Sequence, residues 1–174
     1  MGYDLRLTKD GNIVELPCKV DLGGSNYPLG GTNIAKYSTT YNYAPLFAEA
    51  LETKEGIRFF NEKTAEESIA ILEKAISRLS DENLAPTIEE LKADVEKYLG
   101  MVRDLEKEKS GKIWVGLAEG YLKDAQERLS TADPATGRAR PNYWDATPWN
   151  AKQALKAMLV LAKLAPEDAV WEID

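Results

Sequence analysis

Apolar positions recur with a period of two at both ends of the chain and near 3.6 in between. Residues 3–8 (YDLRLT) alternate apolar and polar side chains, the pattern of a half-buried strand. Asp10-Gly11 supplies a hairpin turn, and residues 13–20 return as a second strand. Pro17 has no N–H for a ladder, which confines that strand to an edge or a bulge. Residues 170–174 (VWEID) alternate again, as a strand that can pair with the hairpin and bring the termini together.

Five helices are predicted between these ends. Asn42 serves as N-cap of the first, with Pro45 in its first turn and Leu46, Phe47, Ala50 and Leu51 as its apolar stripe. Thr64 with Glu67, and Thr87 with Glu90, have the capping-box spacing that starts the second and third. Leu72, Ile76 and Leu79 line the second, and Leu91, Val95, Tyr98, Val102 and Leu105 the third. The fourth runs through Trp114, Leu117, Tyr121, Ala125 and Leu129, with Gly116 and Gly120 read as a close-packing device. Thr147-Pro148 opens the fifth, and Pro166 stops it. Trp114 and Trp171 are better placed for the core than Trp149, which sits in a first helical turn. The fold class is therefore α+β and mostly helical: about five helices packed with a small N-terminal hairpin plus a C-terminal strand. No linker, repeat or low-complexity tract divides the chain, so a single globular domain over residues 1–174 is expected.

Composition narrows the chemistry. With 44% hydrophobic and 29% charged residues the chain can build a core without metal or disulfide. The lone Cys18, within IVELPCKV, reads as a buried strand residue in a reducing compartment. No signal-like N-terminus and no membrane-length apolar run is present, so a soluble, cytoplasmic protein without membrane association is expected. A net charge of −7 opposes direct nucleic-acid binding, which needs cations to displace phosphate counterions. The chain has no histidine, which removes the usual general base, the Ser-His and Cys-His pairs and the commonest metal ligand. No cofactor or metal is expected. Any catalysis would fall to carboxylates, Lys, Tyr or Arg, and no carboxylate pair stands out.

Two stretches escape helical periodicity. Residues 23–47 gather two glycine pairs, four tyrosines and three asparagines. They contain neither a Gly-Lys-Ser/Thr phosphate loop nor GxGxxG. The candidates here are Ser25, Asn26, Tyr27, Thr32, Asn33, Tyr41, Asn42 and Tyr43, since amides read polar edges and tyrosines offer a stacking face with a hydroxyl. The second stretch carries Arg138, Arg140, Asn142, Tyr143, Trp144 and Asp145, with Trp149 just beyond, a combination suited to clamping an anion or anchoring a protein interface. Arg58, embedded in an apolar run, joins the candidates. The bland alternative makes the glycines a surface excursion, the tyrosines core or staple residues, and the arginines part of a loop pinned by Trp144.

Taken together, GGTNIAKYSTTYNYAPLF, GIRFFNEKTAEESIAILEKAI, YWDATPWNAKQAL and the terminal AVWEID resemble small soluble proteins of unassigned activity encoded by bacteriophages and prophages. Trp149 departs from that pattern, where a small residue such as glycine is expected. The resemblance brings no catalytic residues. It implies an accessory role inside a bacterial host: a non-catalytic protein binding a small, nucleotide-derived ligand, or a counter-defence protein occupying a host defence protein. The alternative is a small histidine-free, metal-independent enzyme acting on a nucleotide-like or sugar-like substrate.

Overall fold

A computed structural model of the chain describes residues 2–22, 31–81, 85–108, 111–139 and 142–174. These pack as two compact units, one of residues 1–83 with 143–174 and the other of residues 84–142.

The first unit is built on β1 (Gly2–Lys9), whose Tyr3, Leu5 and Leu7 point into the core as the alternation predicts. β1 pairs antiparallel with three partners: a short β2 (Asn12–Ile13), β5 (Lys36–Thr40) and the C-terminal β6 (Val170–Ile173). β6 does join the N-terminal strand, from Leu5↔Ile173 to Thr8↔Val170. Arg6 reaches across this pair to Glu172 at 2.8 Å, and Thr8 donates its hydroxyl to the same carboxylate at 2.9 Å.

The second hairpin strand is interrupted. β2 is followed by β3 (Glu15–Val20), which leaves β1 and pairs with β4 (Thr32–Ile34) in a separate two-stranded ribbon. The register of that ribbon shifts between Glu15 and Val20, around Pro17, as a residue without an N–H requires. Cys18 is exposed on this ribbon, not buried: Leu16 alone of β3 is buried, and the register shift around Pro17 breaks the alternation that would put Cys18 on the same face. Gly31, with φ +77°, turns into β4 where a Cβ would lie 2.5 Å from the Val20 carbonyl oxygen, so only glycine fits.

The helices of this unit are α1 (Ala44–Leu51), α2 (Ala65–Arg78) and α5 (Pro148–Leu164). Thr64 and Glu67 form both bonds of the capping box on α2. Alanines on α2 and α5 let those two helices approach closely, over a core shared with Leu5, Leu7, Tyr37, Phe47 and Trp171. Lys163–Glu73 at 2.7 Å pins the rim of the α2/α5 pair, and Lys152 donates to the Leu79 carbonyl, beyond the last turn of α2, at 3.0 Å.

The second unit is a helical hairpin of α3 (Ile88–Lys107) and α4 (Lys112–Ser130), antiparallel through their short connection. Thr87 and Glu90 complete the second capping box. Tyr98 of α3 stacks on Tyr121 of α4, with ring centroids 5.5 Å apart and planes at 23°. Trp114 is exposed, contrary to its expected core role: helical spacing shows which residues share a face, not whether anything covers that face. Among the described residues, the two units together contain five α-helices and six strands, an α+β, mostly helical arrangement.

Candidate functional site

The end of β5 sets the geometry of the irregular region of the first unit. Thr40 accepts a hydrogen bond from the Asn42 backbone N–H at 3.2 Å and starts a single 3-10 turn over Tyr41–Tyr43. Thr40 therefore caps this turn, and α1 begins after Tyr43 with no side-chain cap, so Asn42 does not take the capping role expected of it. The turn sends Tyr41 outward and Tyr43 fully into the core.

Tyr41 stands edge-on to Tyr3, 4.4 Å between ring centroids at 85°. Arg58, exposed on the turn Gly56–Phe60, lies over the Tyr3 ring with its guanidinium 5.3 Å from the centroid. Ile57 and Phe60, both buried, hold that turn down and leave Arg58 outside. Edge-to-face contacts continue inward from Tyr3 to Phe47 at 6.4 Å, Phe47 to Tyr43 at 5.9 Å, and Tyr43 to Tyr143 at 5.9 Å. Trp144, exposed, meets Tyr143 at 5.3 Å and ends the series.

Side-chain hydrogen bonds join the irregular stretches. Asn42 donates its side-chain amide to the Trp144 carbonyl at 2.9 Å, and the Tyr43 hydroxyl donates to the Tyr143 carbonyl. The segment after Trp144 is braced from α5: the Asp145 carbonyl accepts from the Thr147 N–H at 2.8 Å and from the Asn150 amide at 2.9 Å. Trp144 is thus presented by a turn fixed on both sides. Burial, with Tyr143 and Asp145 adding to it, pushes the Tyr43 hydroxyl well above the ordinary phenol value. It is a neutral donor at any physiological pH and cannot serve as a base.

Of the residues singled out in the sequence, the structure gathers Tyr41, Asn42, Tyr43, Arg58, Tyr143 and Trp144 in one region of the first unit. Trp149 is exposed at the start of α5 in the same unit. Asn33 is exposed on β4, whereas Thr32 is buried and spends its hydroxyl on the Ile34 backbone at 3.1–3.2 Å. Ser25, Asn26, Tyr27 and Arg140 lie outside the described residues. Arg138 belongs to the second unit, where it donates to the Ala85 carbonyl at 2.7 Å and its backbone bridges Thr87 and Asp133. Its role there is to close the base of the helical hairpin. Sequence reasoning missed Tyr3, read as an ordinary strand residue; nothing local announces that a distant arginine covers its ring.

The carboxylates that titrate abnormally do so downward, and each has a structural partner. Glu67 and Glu90 are held low by their capping threonines, Asp81 by Lys152, Asp168 by Lys9, and Glu172 by Arg6 and Thr8. Among the described residues no group of three His, Cys, Asp or Glu is placed to hold a metal, and no helix is long and apolar enough to cross a membrane. No family model matches the chain, and neither a search of curated proteins nor one of solved structures finds a match.

Proposed function

We propose that the protein is a non-catalytic accessory protein of the phage type that binds a small, planar, anionic ligand of nucleotide character at the exposed Tyr41, Arg58 and Trp144 side chains. The observation that carries this reading is the junction of the two irregular segments. Asn42 and Tyr43 tie directly to the backbone of Trp144 and Tyr143, Tyr41 and Trp144 stay exposed at that junction, and Arg58 is exposed over Tyr3, the ring that Tyr41 meets edge-on. Exposed rings on a braced backbone are a stacking platform with little ordering entropy left to lose, and a nearby guanidinium supplies the anion contact. A catalytic reading finds less support: the strongly perturbed hydroxyl is buried against a carbonyl, and the shifted carboxylates serve caps and ion pairs.

Thermal-shift and tryptophan-fluorescence titrations with nucleoside phosphates and cyclic dinucleotides test the ligand reading. Binding should raise Tm and quench part of the tryptophan emission, with both effects lost in Arg58→Ala and in Trp144→Ala. A second reading, a host protein as partner, is favoured by the exposure of Trp149 beside the same segment, since Trp, Tyr and Arg dominate interface anchors. It takes precedence if no nucleotide shifts Tm and a single host protein is retained by the wild type but not by Trp144→Ala. Turnover of a nucleotide- or sugar-like substrate that survives metal removal and is lost on Tyr43→Phe would overturn both.

A further inference from the structure

The helical hairpin presents an apolar face that its own packing does not use. Its buried apolar residues, among those described, are Leu91 and four alanines: Ala85, Ala118, Ala125 and Ala139. Outside that thin seam, α4 exposes 77% of Ile113, 65% of Trp114, 49% of Leu117 and 56% of Tyr121, and α3 exposes 47% of Met101. Ile113, Leu117 and Tyr121 are spaced i, i+4, i+8 and form one row, with Trp114 alongside. Tyr121 stacks on Tyr98, and Met101 follows Tyr98 by three residues, so the row continues across the seam onto α3. Both helices contribute to one side of the layer.

From this we infer that the α3/α4 hairpin is a self-association surface on which a second copy of this chain docks to complete a four-helix bundle. The inference is independent of the ligand reading of the first unit. Three observations select a second copy as the occupant. The first is area: the five exposed side chains offer on the order of 600 Å², at the upper end of what monomers leave uncovered. Doubled across a two-fold axis, this clears the roughly 1,000 Å² that a specific interface needs.

The second is symmetry. The row is centred on Leu117, with Ile113 and Trp114 one turn before it and Tyr121 one turn after. A two-fold axis at Leu117 sets Ile113 and Trp114 of one copy against Tyr121 of the other, so the same patch serves both subunits. The third is charge. Residues 84–142 hold ten Lys and Arg against eleven Asp and Glu, a net −1, so the remainder of the chain carries −6 of the total −7. Among the chain's two units, this one repels its copy least. A two-helix layer whose larger apolar residues are mostly only half-buried also has much to gain from a second layer.

Sedimentation equilibrium or light scattering on the full chain across the micromolar range tests the inference. The wild type should show a mass approaching twice 19.3 kDa as concentration rises. Leu117→Glu and, separately, Trp114→Ser should raise the dimer dissociation constant about thirtyfold or more, because each substitution acts twice across the axis. Both positions are exposed in the single chain, and far-UV circular dichroism should show their helix content unchanged. Val160→Glu, an exposed site on α5 of the other unit, should leave association as it was. A wild type that stays at 19.3 kDa throughout, or a dimer that neither hairpin substitution weakens, would overturn it.

Discussion

The side-chain amide of Asn61 pairs with the backbone of Ile173 in both directions: Nδ2 donates to the Ile173 carbonyl at 3.2 Å, and Oδ1 accepts from its N–H at 2.7 Å. One side chain stands where another strand would stand. Beyond it, Glu62 N–H donates to the Trp171 carbonyl and Trp171 N–H to the Lys63 carbonyl, so the outer edge of β6 is closed by a loop. Asn61→Ala should lower the unfolding free energy by about 1–2 kcal/mol in urea titrations with an unchanged m-value. Asn61→Asp should cost at least as much, because it turns the donor facing the Ile173 carbonyl into a second acceptor. An Asp variant as stable as the wild type would show that this edge is not held by the amide.

Behind the same strand, the Trp171 indole N–H donates to Ser68 Oγ at 3.1 Å, and Ser68 passes its own proton to the Ala65 carbonyl at 2.7 Å. Both side chains are buried, so no water replaces a lost partner. Ser68→Ala should cost about 1–3 kcal/mol, most of it the stranded indole N–H. Trp171→Phe removes that donor and leaves Ser68 its carbonyl partner, so its cost is a packing cost. In the double variant the stranded group no longer exists. The two losses should therefore fall short of additive by about 1 kcal/mol, as read from a double-mutant cycle of urea midpoints.

Local chemistry explains which elements were legible in the sequence. Thr64–Glu67, Thr87–Glu90 and Thr147–Pro148 are signals complete within four residues, and all three mark helix starts in the structure. The alternation in β1 and β6 was equally readable, because each buries one face. β5 was not. Lys36–Thr40 becomes a strand by pairing with Gly2–Arg6, some thirty residues away, and its glycine- and asparagine-rich approach reads as loop. The candidate site shows the same division. The aromatic and amide types were visible, but their pairing of Asn42 with Trp144 spans about a hundred residues. The covering of Tyr3 by Arg58 is likewise a product of topology.

The pH dependence follows from the carboxylates. Glu172, Glu67 and Glu90 sit below the ordinary glutamate value of 4.5, and Asp81 and Asp168 below the ordinary aspartate value of 3.8, each through a hydrogen-bonded partner. A depressed folded value contributes stability that is present above the unfolded value and is lost as pH falls through the folded one. Stability should therefore be flat from about pH 6 to 8, where a chain without histidine has little to titrate, and decline on acidification below 4.5. Glu67→Gln keeps an acceptor for the capping box and removes the titration. Its Tm should lie below the wild type near neutrality, where the ionised carboxylate contributes, fall less steeply in acid and converge on the wild type there. A Tm–pH curve that slopes through pH 6–8, or a Glu67→Gln curve parallel to the wild type in acid, would contradict this assignment.

Substitutions around Trp144 separate groups that would touch a ligand from groups that only hold the surface in shape. Tyr41 and Trp144 present exposed rings, so Tyr41→Ala and Trp144→Ala should change stability by no more than about 0.5–1 kcal/mol while weakening nucleotide binding. Asn42→Ala and Tyr43→Phe leave those rings in place but cut the bonds to the Trp144 and Tyr143 carbonyls. Tyr43 is fully buried, and its loss strands part of the Tyr143 carbonyl, so Tyr43→Phe should cost about 1–3 kcal/mol; the more exposed Asn42→Ala should cost about half that. Hydrogen exchange of residues 143–147 should quicken in both, because each variant loses one of the bonds that brace the segment opposite α5. Affinity should fall in all four variants, but only in the last two together with exchange protection. If Tyr43→Phe abolished binding with exchange at 143–147 unchanged, the hydroxyl itself would be contacting ligand, and its buried bond to the Tyr143 carbonyl would have to open for that to happen.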